Sequence, residues 1–281
     1  MIERALKHIE HCAQIPSFSS FEERIHPYIE SVVAPLRSSG VTLEKVETNN
    51  LVVHVPGDDS RKPVVLNAHL DKINHFGIKE PEKVPFERRD DEIEGLLDDS
   101  VGLGICLTLI EEAISSNFAP LYVLFTEMEE NKGFKEHPEL LKNGGKDYKH
   151  GTGAEKLARY LIEEFIEPEA IITIDTTPLF KGEKGVAVYA NWWEYYDMKP
   201  TKEQAKVSDE FLKRLRAHDP DFRLDNNTND YLVFGKMYNR NALEPVPCIA
   251  LEPAIFPYHQ ADERVYISDI ERCLTLLKMI L

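Results

Sequence analysis

Gly95-Leu-Leu-Asp98-Asp99-Ser100-Val-Gly102-Leu-Gly104-Ile-Cys-Leu-Thr-Leu-Ile110 decides how this chain is read, because it sets two adjacent carboxylates at the entrance of an apolar helix. Val101, Leu103, Ile105, Leu107 and Ile110 supply the apolar positions, and Gly102 and Gly104 remove side chains where neighbouring backbone can approach. A carboxylate at a helix start is favoured by the helix dipole and can cap its unpaired amides. Alone, Asp-Asp-Ser would be read as such a cap.

Four other stretches change that reading. They are Val64-Val-Leu-Asn-Ala-His69-Leu-Asp71, Leu121-Tyr-Val-Leu-Phe-Thr-Glu127-Met-Glu129-Glu130, Ala170-Ile-Ile-Thr-Ile-Asp175 and Pro257-Tyr-His259-Gln-Ala-Asp262-Glu263. The first three are apolar runs that end in a metal-ligand type of residue, and the fourth is a loop. Open α/β sheets keep their sites where strand gives way to loop, at the carboxyl ends of the strands.

Composition narrows the function classes. With 33 basic against 49 acidic residues the formal charge is -16, which argues against nucleic acid and anionic membrane as partners. The start, Met-Ile-Glu-Arg-Ala-Leu-Lys-His, has charges where a secretion signal needs an apolar core, and no apolar run approaches a membrane span, so a cytoplasmic protein is expected. Cys12, Cys106, Cys248 and Cys273 are dispersed and without CxxC pairing, and are expected as buried free thiols.

Periodicity predicts helices over 2–14 and 21–39, a hairpin from 41–48 and 51–55, and buried strands over 63–68, 120–126 and 170–175. Residues 72–94 and 131–153 read as surface loops, the second as a mobile rim. Helices are predicted over 154–166, 201–217 and 231–240 and from 268 onward, with strands at 184–190 and 248–251. Strands alternating with helices imply an α/β fold with a mixed, mainly parallel sheet covered on both faces. The 281 residues suit one domain, 1–281.

His69, Asp98, Glu130, Asp175 and His259 offer two imidazoles and three carboxylates. If Asp98 bridges, each of two metal ions has three ligands. Asp71, two residues beyond His69 in an extended segment, can orient that imidazole. Glu129 is then free to serve as general base.

The series His69-x-Asp71, Asp98-Asp99-x-x-Gly102, Glu129-Glu130, Asp175, His259 resembles the dinuclear zinc exopeptidase superfamily of aminopeptidases, carboxypeptidases and amidohydrolases. Leu97-Asp98-Asp99-x-Val101-Gly102 and Ile174-Asp175-x-Thr177 are similar to the glutamyl and deblocking aminopeptidases. Tyr258-His259-x-x-Asp262-Glu263-Arg264-Val265 is similar to the acetylornithine deacetylase and carboxypeptidase branch. The resemblance implies a three-layer α/β/α sandwich. The intervals 70–97 and 176–258 leave no room for a lid or dimerisation insert. It also implies that His69 and Asp175 hold one Zn²⁺ and Glu130 and His259 the other, with Asp98 between; Co²⁺ or Mn²⁺ are possible occupants.

The implied reaction is cleavage of an amide bond by a metal-bridging water that Glu129 activates. The leading expectation is an aminopeptidase acting on short peptides. An amidohydrolase or dipeptidase acting on a small N-acyl amino acid, and a metal-binding relative without turnover, stand beside it. Asp99, Thr228 and Asp230 are candidates for holding a free amine, and Arg240 or Arg264 for holding a carboxylate. Trp192, Trp193, Tyr195 and Tyr196 could wall a specificity pocket. Oligomeric state is left open.

Overall fold

The computed structural model describes residues 1–116, 118–146 and 149–281. The chain opens with α1 (Ile2–Gln14) and α2 (His26–Val33), then the hairpin β1 (Thr42–Val46) and β2 (Asn50–Val55) and the strand β3 (Val64–His69). β4 (Glu87–Arg88) and β5 (Glu92–Gly95) precede α3 (Ser100–Ile114), β6 (Leu121–Thr126) and α4 (Asn131–Glu136). α5 (Thr152–Glu163), β7 (Ala170–Ile174), β8 (Val186–Tyr189), α6 (Trp192–Tyr195), α7 (Lys202–His218) and β9 (Arg223–Asp225) follow. α8 (Asp230–Asn241), β10 (Cys248–Pro253), β11 (Glu263–Tyr266) and α9 (Ile267–Ile280) complete the order.

Eight strands form one sheet in the order β1-β2-β6-β3-β7-β10-β8-β9. Its centre is parallel, with β3 between β6 and β7 and β10 beyond β7. β1, β2 and β8 join antiparallel. The run Val64 to Ala68 shows why this order is stable. Val64, Leu66 and Ala68 face a core shared with α1, α2, α3, α7 and α9, whereas Val65 faces a second core shared with α5, α6 and α8. Period-two alternation thus fills both faces, as buried parallel strands require. The three-layer α/β/α expectation is borne out.

α3 lies against α1 at Gly104, where an added Cβ would meet the side chain and backbone of Ile9. Gly102 makes the same close approach to the Asp99 carboxylate and the Ile174 carbonyl, which is the backbone proximity read from the two glycines. The four cysteines are buried free thiols. Among the described residues no helix is long and apolar enough to cross a membrane.

Several expectations change. The 21–39 helix is interrupted, with 3-10 segments at Glu22–Arg24 and Ala34–Ser39 flanking α2, because Pro27 and Pro35 each favour a helix start. The 72–94 loop contains β4 and β5, which pair with β11 in a small three-stranded sheet. The 131–153 rim contains α4 and 3-10 turns at Pro138–Leu140 and Lys142–Gly145, with 147 and 148 outside the described residues.

Candidate active site

β3, β6 and β7 end side by side, so His69, the Glu129-Glu130 pair and Asp175 emerge at one edge of the sheet. Asp98 reaches it from the entrance of α3, and His259 from the turn before β11. The Asp98 carboxylate lies between the two imidazoles, with Oδ1 3.2 Å from His69 Nε2 and Oδ2 3.4 Å from His259 Nε2. Asp175 Oδ1 is 3.8 Å from His69 Nε2, and Glu130 Oε2 is 3.6 Å from His259 Nε2. Glu130, Asp98, His69 and Asp175 are buried.

Burial first, and then the Asp98 charge, push Glu130 and Asp175 well above the usual carboxylate range. Against the effect of burial, the Asp71 and Asp98 carboxylates hold the His69 imidazole well above its ordinary pKa. Three carboxylates crowded at these separations beside two ring nitrogens repel one another unless protons or a cation lie among them. That is the donor set a divalent zinc site uses, and the triads His69, Asp98, Glu130 and His69, Asp99, Asp175 each bring ligand atoms within 4.8 Å of one another. The residues fit a metal centre.

Around the cluster, backbone amides hold the carboxylates in place. Asp71 accepts from Glu129 N at 2.9 Å, Glu130 N at 3.1 Å and Ser19 Oγ at 2.8 Å, while its carbonyl lies 3.0 Å from His69 Nδ1. It therefore sets both the imidazole and the turn that carries the paired glutamates. Met128, just before that turn, and His259 both adopt left-handed backbone, at φ 59° and 56°. Strain of this kind is tolerated where surrounding contacts over-determine it.

Glu129 is half-buried, and burial raises its carboxyl well above the ordinary value. It lines a cleft of about 330 Å³ together with Glu130, Lys132, Lys135, Thr228 and His259. Tyr258 lies in the same wall, stacked on the His259 ring at 3.6 Å, and burial and the nearby carboxylates keep its phenol protonated.

Of the three residues suggested for a free amine, Thr228 is exposed in the cleft wall. Asp99 is fully buried and does not line the cleft, because its carboxylate caps α3 by accepting from Gly102 N at 2.7 Å and also takes His69 N at 3.3 Å. Asp230 is buried too, accepting from Thr126 Oγ1 at 2.6 Å and Asn67 Nδ2 at 3.3 Å; the α8 N-cap is Asn229. Trp192 and Trp193 pack in the core beneath α8, and Tyr195 and Tyr196 likewise lie outside the cleft lining. Arg240 and Arg264 do not line the cleft either.

Glu263 carries a part that sequence reading left without a role. It accepts from Leu97 N at 2.8 Å, Asp98 N at 3.1 Å and His259 N at 2.9 Å, so one buried carboxylate joins the two segments that bring Asp98 and His259 together. Its spacing from His259 was visible, but its partners in the segment before α3 are 165 and 166 positions away. Glu252, buried and bonded to Asn229 Nδ2, has one oxygen without a partner among the described residues.

Residues 50–262 match the model of Peptidase family M28. The chain is similar in fold to the TET1 peptidase of Pyrococcus horikoshii, at TM-score 0.66 and 13% identity over 98% of each chain. It is also similar to the aminopeptidase PepT of Bacillus cereus, at TM-score 0.67 and 12% identity over 100% of this chain and 98% of that one. The aminopeptidase APDkam598 of Desulfurococcus kamchatkensis gives TM-score 0.65 and 12% identity over 99% and 94%. No curated relative matches the chain by sequence.

Proposed function

The chain belongs to peptidase family M28, and from that premise we propose a dinuclear metal aminopeptidase that removes N-terminal residues from short peptides, the whole chain serving as one catalytic domain. The carrying observation is the Asp98 carboxylate with one oxygen toward each of two imidazoles, beside a half-buried glutamate that belongs to neither pair. His69 and Asp175 would hold one ion and Glu130 and His259 the other, with Asp98 shared; zinc fits this donor set, and cobalt or manganese could replace it. Bound there, the ions would polarise the scissile carbonyl and acidify the attacking water.

This chain's residues supply the rest. Glu129 takes a proton from the attacking water and passes it to the leaving amine. The Tyr258 hydroxyl is a donor available to the carbonyl oxygen as negative charge develops there. Asp71 fixes the His69 ring and the Glu129-Glu130 turn. The acidic inner end of the cleft favours a cationic amine, with Thr228 in the wall as a hydrogen-bonding group. Four buried free thiols support a reducing compartment such as the cytoplasm. Solved relatives are described as a dodecamer and as a tetrahedron or octahedral shell, so self-association of this chain is a further part of the reading.

The test is release of arylamine from free-amine aminoacyl anilides and from their N-acetylated counterparts, using zinc-reconstituted protein with a chelator control. Chelator-sensitive cleavage of the free-amine set alone is expected. Cleavage of the acetylated set alone would replace this reading with an amidohydrolase, and two bound ions without turnover of either would leave a binding protein.

A further inference from the structure

The cleft is electrically two-ended. Buried Glu130 and half-buried Glu129 line its carboxylate-rich end, and Lys132 and Lys135 of α4 line the same cavity. Along this rim Lys142 pairs with Glu23 and Lys149 with Glu155, but neither Lys132 nor Lys135 is within ion-pairing distance of a carboxylate among the described residues. Lys132 is half-buried and Lys135 is exposed. Glu136 also lines the cleft, which leaves one acid against two ammoniums at this end.

Half-buried His75 is the next group on this rim. Its burial, followed by the charges of Lys132, His259 and His137, disfavours the imidazolium, so it brings no third cation to the rim. At 1.5 Å per helical residue, Lys132 and Lys135 follow Glu130 by roughly 3 and 8 Å. One or two residues of extended peptide cover roughly that distance.

We propose that Lys132 and Lys135 form a carboxylate-recognition site at the outer end of the cleft, which selects short peptides bearing a free carboxylate within one or two residues of the bond cleaved. This rests on the aminopeptidase reading for its reaction but not for its binding. An ammonium is a compact charge that recognises a carboxylate without fixing its orientation, so a peptide's C-terminal carboxylate and an aspartate or glutamate side chain share the chemistry.

The experiment uses the full-length metal-loaded protein and three substrates: alanine tripeptide, its C-terminal amide, and the amidated tripeptide with a central glutamate. Exposed ion pairs of this kind are each worth a factor of about two to five, so the Lys132→Gln/Lys135→Gln double variant should lower the kcat/KM ratio of acid over amide roughly tenfold, mainly through KM. Preference for the free tripeptide identifies the terminal carboxylate as the source, and preference for the glutamate peptide identifies the side chain. The paired Lys149→Gln variant should leave the ratio where it was; an equal fall there would reduce the effect to bulk charge and overturn the site.

Calorimetric binding to metal-loaded Glu129→Gln protein, in which turnover is suppressed, supplies the second readout. A tighter fit for a carboxylate peptide, lost with the two lysines, supports the site even if no peptide is hydrolysed, an outcome in which only the aminopeptidase reading falls. Equal binding of acids and amide, or a gap that survives loss of both lysines, overturns the proposal.

Discussion

Glu129 and Glu130 are neighbours with different surroundings. Glu130 turns its carboxylate toward His259 and Asp98, while Glu129 stands half-buried in the cleft wall. Glu129→Gln keeps the shape of the side chain and removes the proton acceptor. Turnover should fall by about 10³, within the range that general-base catalysis contributes. Bound metal per chain, measured by elemental analysis, should stay at the parent value. Near-parental turnover in a protein with full metal content would remove Glu129 from the base role. The residue types of this cluster were legible because His, Asp and Glu at the ends of apolar runs are conspicuous. The engagements of Asp99, Asp230 and Glu263 were not, because their partners are backbone amides and side chains from remote segments, which no local pattern encodes.

At the scale of elements, α3 ties the segment that carries Asp98 to the rest of the fold. Its N-terminus carries Asp98 and Asp99, and about one turn further on Gly104 lets α1 close against it. A Cβ at 104 would meet the Ile9 side chain and backbone, so a branched residue must push the helices apart. Gly104→Val should therefore destabilise the protein by about 1–3 kcal/mol, the usual range for overpacking. Urea titration should show a lower midpoint with an unchanged slope; an unmoved midpoint would mean that α1 is not held at this contact. The long elements were readable because their period is sustained, as in the alternating Val64 to Ala68 run. β4, β5, β9 and β11 are two to four residues long and rich in charge, too short to show a period. Yet β11 pairs with β5 and places Glu263 opposite Gly95, which brings the His259 loop to the start of α3. An interaction between two segments 168 positions apart can only be seen in three dimensions.

For the molecule as a whole, the excess of 49 acids over 33 bases is concentrated in part inside the fold, and that fixes how stability should depend on pH and metal. Burial raises Glu263, which holds the Asp98 and His259 backbones, to about 8, and Glu130 and Asp175 are raised as well. A carboxyl whose pKa is higher folded than unfolded takes up a proton on folding. Its contribution is therefore most favourable at acid pH and declines as pH rises from about 4.5 toward 8, by at most about 1.4 kcal/mol per pH unit for each proton. The raised His69 pKa acts in the same direction. Glu22, buried at the start of the 3-10 turn before α2 and raised to about 8 by burial and then by the Asp71 charge, acts in the same direction. A bound metal would reverse the trend at the site, because it displaces the protons of these residues into solvent and its affinity rises with pH. Removing the metal should therefore lower the Tm by little at pH 5 and by much more at pH 8, where a cluster of ionised carboxylates is left without a counter-charge. Differential scanning calorimetry of chelated and zinc-loaded protein at the two pH values measures this directly. A chelation effect of equal size at both would show that protons do not stand in for the cation, and the carboxylate cluster would have to be stabilised by something other than a bound metal.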